Sequence, residues 1–81
     1  MFRKLVTTGE VEIDGRTYGL RYYEQKTVRG GRRYSCEVLL GATDRIILDD
    51  DSMTSLESKV VRLAPATVYS RLLAARSGEA A

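Results

Sequence analysis

In the stretch EVEIDGRTYGL, apolar side chains alternate with polar ones on both sides of an Asp14-Gly15 pair. Val11 and Ile13 precede the pair, and Tyr18, Leu20 and Tyr22 follow it at the same spacing. Period two is the mark of a strand with one buried face, and Asp-Gly is a preferred type I′ hairpin turn. A two-residue turn there sets Ile13 opposite Arg16 and Val11 opposite Tyr18, and directly opposed residues share a face. The apolar residues therefore predict one side of a β-hairpin.

The alternation resumes in RRYSCEVLL, with Tyr34, Cys36, Val38 and Leu40 on one face and Arg33, Ser35, Glu37 and Leu39 on the other. A two-residue turn at Gly30-Gly31 would pair Arg21 with Leu40 and bury the arginine. A loop of three or five residues keeps the apolar face whole, and a three-residue loop over Arg29-Gly30-Gly31 pairs Tyr22 with Val38 and Leu20 with Leu40. DRIILDD gives a fourth strand with Ile46 and Leu48 inward. A helix is predicted from near Ser52, marked by Asp and Ser cap candidates and by a capping-box pattern from Thr54 to Glu57. Met53, Leu56, Val60 and Leu63 form its apolar stripe. Pro65 is expected to end or kink it, with a shorter helix carrying Val68, Leu72 and Tyr69 beyond.

The predicted fold class is α+β: a four-stranded antiparallel meander with one face covered by a C-terminal helix. The expected organisation is an N-terminal arm over residues 1–8, one domain over 9–76 and a tail over 77–81. A chain of 81 residues buries only about 60–65% of its unfolded surface, so the thin core favours a homodimer. The uncovered face carries Arg21, Tyr23, Gln25, Thr27, Arg33, Ser35, Glu37, Leu39, Arg45 and Ile47.

Formal net charge is +2, yet the chain is polarised. Arg16, Arg21, Lys26, Arg29, Arg32 and Arg33 face one acid, Glu24, whereas Asp44 to Glu57 carries five acids against Arg45. Cys36 is the single cysteine, which excludes an internal disulfide and suits a reducing compartment. No run of apolar residues has the length of a signal or membrane segment, so the expectation is a cytoplasmic protein with no membrane role.

The chain contains no histidine, which removes the commonest general base, triad partner and zinc ligand. DDDS at 49–52 lacks the spaced oxygens of a calcium loop and stands where helix-capping acids belong. Cys36 has no base to activate it, and Gly30-Gly31 opens no helix that could hold a phosphate. The expectation is thus no enzyme, cofactor or metal. Arginines and a tyrosine on adjacent strands suit single-stranded nucleic acid, held by charge and base stacking. The candidate binding residues are Arg21, Tyr23, Arg29, Arg32, Arg33 and Arg45. The alternative is a protein-interaction module whose outer face or terminal helix docks a partner.

In element order, EVEIDGRTYGLRYYEQ, RRYSCEVLL and RIILDDDSMTSLESKVVRLA resemble one repeat of the PUR domain and, more broadly, the Whirly-like single-strand binders. That resemblance implies single-stranded DNA or RNA on the curved sheet face and pairing of two repeats through their helices, here as a homodimer.

Overall fold

A computed structural model describes residues 3–80, with side chains described through residue 74. Four strands, β1 (Arg3–Ile13), β2 (Arg16–Lys26), β3 (Arg32–Leu39) and β4 (Arg45–Asp50), precede one helix, α1 (Met53–Ala80). The strands form a single antiparallel sheet in the order β1-β2-β3-β4. The fold is α+β, with α1 packed on β3 and β4.

The two hairpins follow from their turn residues. Asp14 and Gly15 both adopt positive φ, 52° and 78°, as a type I′ turn requires, and Ile13 faces Arg16. Lys26 faces Arg32, so β2 and β3 are joined by the five-residue form of the loop, 27–31. Within it Gly30 takes φ 82°, and the Thr27 hydroxyl accepts from the Gly31 amide at 3.0 Å. Five residues rather than three place Leu20 opposite Val38 and Tyr22 opposite Cys36. This register lies two residues from the one drawn for a three-residue loop, so every side chain keeps its face.

The covered face carries the core. Ile13, Tyr18, Leu20, Tyr22, Cys36, Val38 and Ile46 are buried beneath Leu56, Val60, Ala64 and Val68 of α1. The helical stripe thus runs at strict spacings of four through Ala64. Leu63, expected in it, is 38% exposed, since a fixed i, i+4 row leaves it to one side.

β1 begins at Arg3, so residues 3–8, expected as an arm, pair with β2. Their alternation is interrupted because the register shifts between Leu5 and Thr7, leaving Val6 as an extra residue. Beyond this bulge Leu5 faces Tyr23 and Arg3 faces Gln25, both on the uncovered side.

Ser52 caps α1: its hydroxyl accepts from the Ser55 amide at 3.1 Å and its carbonyl from the Leu56 amide at 3.0 Å. The cap is therefore two residues before Thr54. The helix then runs on through Pro65 as one element. Proline frees the carbonyl four residues back, on Val61, which is 73% exposed, so water can satisfy it. Ala64 and Val68 on either side remain buried against the sheet. Of the tail expected over 77–81, residues 77–80 belong to this helix and residue 81 lies outside the described residues.

Candidate interaction surface

The uncovered face is built in cross-strand rows. One row runs Thr8, Arg21, Glu37, Ile47; the next runs Leu5, Tyr23, Ser35, Asp49; a third runs Arg3, Gln25, Arg33. The parity of β2, β3 and β4 thus places Arg21, Tyr23, Arg33 and Arg45 together. Arg29 and Arg32 lie off this face, in the 27–31 loop and at the start of β3.

Glu37 is the centre of the surface and only 2% exposed, although no helix lies above it. Arg45 Nε lies 2.9 Å from its carboxylate, and Arg3 Nη1 approaches the same oxygen to 4.0 Å. Arg3 reaches it by lying over the Tyr23 ring, 4.3 Å from the centroid. That contact joins a cation–π attraction to an ion pair, and it covers the ring face on which a base would stack. The aliphatic stems of long side chains shelter a charge that the backbone alone leaves open.

Arg32 and Arg33 are also engaged. Arg33 donates to Asp49 at 2.8 Å and to Asp51, and the Asp49 hydrogen bond raises its pKa further above the ordinary arginine value. Arg32 lies 3.6 Å from Glu24. Arg21 and Arg29 make no ion pair among the described residues.

Two acids that the list of outer-face residues omitted, Glu10 and Glu12, lie on the same side, opposite Gly19 and Thr17. The face then holds four arginines, at 3, 21, 33 and 45, against four acids, at 10, 12, 37 and 49. Arg3 was hidden from sequence reasoning by the Val6 bulge. Glu10 and Glu12 could have been found, since they alternate with Val11 and Ile13.

The acidic run 49–51 is held by cations of its own chain. Besides the Arg33 pairs, Lys59 Nζ donates to the Asp49 carbonyl at 2.7 Å and lies 3.3 Å from the Asp50 carboxylate. The Asp51 amide, followed by Lys59, holds the Asp50 carboxyl below its ordinary pKa. Cys36 is buried, and burial pushes its thiol up to about 11. At neutral pH it is a protonated thiol, a poor nucleophile and a poor metal ligand.

A second exposed region lies on α1. Tyr69 and Leu72, with Val68, line a groove of about 210 Å³ against Ile13, Asp14, Arg16 and Tyr18. Leu73 is a further exposed apolar residue there, and Arg71 ties this part of the helix to Asp44. No helix among the described residues is long and apolar enough to cross a membrane.

No family model, curated protein or solved structure matches the chain.

Proposed function

We propose that this chain is a non-enzymatic protein-interaction module that works as a homodimer and presents its uncovered sheet face to a protein partner. The observation that carries the reading is the balance of that face: four arginines against four acids, with Glu37 buried under Arg45 and Arg3. A surface for polyphosphate needs uncompensated positive charge, because affinity comes from replacing counterions at phosphates. A neutral mosaic with apolar members, Leu5 at 50% and Ile47 at 52% exposure, suits the mixed polar and apolar character of a protein interface. The lone buried thiol favours the reducing cytoplasm.

Single-stranded DNA or RNA is the second reading. It is favoured by the exposed Arg21 and Arg29, which have no ion pair among the described residues, and it would also draw on Tyr23 once Arg3 moves aside. An oligonucleotide titration at two salt concentrations separates the two. The expected result is no saturable binding at micromolar protein. Binding whose affinity falls with salt at a log-log slope of about −0.7 per neutralised phosphate would put nucleic acid first.

A further inference from the structure

β1 stands at the edge of the sheet, and a strand eleven residues long there offers a row of N–H and C=O groups to another strand. Its charges are ordered along its length. Arg3 and Lys4 stand at one end, Glu10 and Glu12 at the other, and residues 5–9 between them carry no charge. Lys4, Glu10 and Glu12, like Arg21 and Arg29, make no ion pair among the described residues, and the pair that Arg3 makes with Glu37 is long, at 4.0 Å.

A second copy turned about an axis normal to the sheet sets the basic end of one β1 against the acidic end of the other. The Val6 bulge sets which residues such a pairing opposes. Thr8, Glu10 and Glu12 lie on the uncovered side with Leu5 and Arg3, and Thr7, Gly9 and Val11 lie on the helix side with Lys4. With Thr8 opposite Thr8, Thr7 meets Gly9, and beyond the bulge Leu5 meets Glu10, Lys4 meets Val11 and Arg3 meets Glu12. Every opposed pair shares a side, as an antiparallel ladder requires. In a strand without the bulge Arg3 would lie on the helix side opposite Ile13 and Lys4 on the uncovered side opposite Glu12, so the bulge decides which cation meets Glu12.

We infer that β1 pairs antiparallel with β1 of a second copy, Thr8 against Thr8, joining the two sheets into one. This inference rests on the homodimer proposed above and names its interface. The interface is isologous, so each charge contact occurs twice. The same charges oppose registers slipped far enough to set Glu10 against Glu10 or Glu12.

Two charge variants test it. R3E/K4E carries acid at both ends of β1, and E10K/E12K carries base at both ends. Each alone is expected to self-associate roughly tenfold or more weakly than the unaltered chain, by size-exclusion chromatography with light scattering. Mixed in equal amounts they should form a heterodimer. Thr8→Cys copies should cross-link to one another under mild oxidation, and Leu73→Cys copies should not. If R3E/K4E fails to fold by circular dichroism, the cross-link and the loss of dimer in E10K/E12K decide the matter. A dimer that persists in both charge variants but dissociates in L72D/L73D overturns pairing through β1 and leaves the homodimer standing. A chain that is monomeric at every concentration overturns both.

Discussion

Tyr22 and Cys36 face one another across β2 and β3 on the covered side of the sheet. Burial, then the neighbouring Cys36, pushes the Tyr22 hydroxyl up to about 12, and burial pushes the Cys36 thiol up to about 11. Both groups are neutral when protonated, so the folded state binds their protons more tightly than the unfolded chain does. The stability this confers is fully present below the unfolded thiol value of 9.0 and is lost as pH rises through the folded values, because unfolding then releases protons. The urea midpoint is expected to hold steady up to about pH 9 and to fall between there and about pH 12, with a shallower fall in C36A and Y22F. Equal alkaline loss in the wild type and both variants would contradict the assignment. Glu37 sets a different condition at this scale. A buried carboxylate held by Arg45 on an uncovered face depends on that partner far more than the exposed Arg33 depends on Asp49.

Among the elements, α1 shows two opposed effects of local chemistry. Ser52 satisfies a free amide at its start, and Pro65 removes a hydrogen bond in its middle. Ser52→Ala is expected to cost about 1 kcal/mol. Pro65→Ala is expected to stabilise by up to about 3 kcal/mol, because the residue is exposed and its neighbours already hold the helix on the sheet. Urea denaturation checks both, and an unchanged or lower midpoint in Pro65→Ala would mean that the helix is shaped around the proline. The strand parity of β2, β3 and β4 was legible because each buries one face, which enforces alternation from Tyr18 to Leu48. The first half of β1 was not legible: the bulge at Val6 breaks the period, and residues 3–10 are exposed, so no buried pattern marks them. Helix rules foresaw an end or a kink at Pro65; the helix does not end there, because the burial of Ala64 and Val68 carries it across. The candidate site was legible in its positions but not in its pairing. Arg33 and Arg45 are where parity puts them, and only the assembled sheet brings Asp49 and Glu37 to meet them.

The molecule as a whole measures 47 × 24 × 19 Å, long for its size because α1, with 28 residues and about 42 Å in length, outruns the sheet it covers. Such a shape leaves little interior, which is why self-association is the expected source of added stability. For a folded dimer that separates as it unfolds, the thermal midpoint should rise about 4–5 °C for each tenfold increase in protein concentration. A midpoint independent of concentration would indicate a self-sufficient monomer. The extra residue at Val6 gives this slender molecule its handed division of labour. It works as a phase setter: one amino acid of added length rotates the leading residues by half a strand period, putting the guanidinium of Arg3 over Tyr23 instead of under the helix. The chain just upstream of residue 6 is thereby intolerant of any change in length, since one residue more or less turns Arg3 to the other side of the sheet.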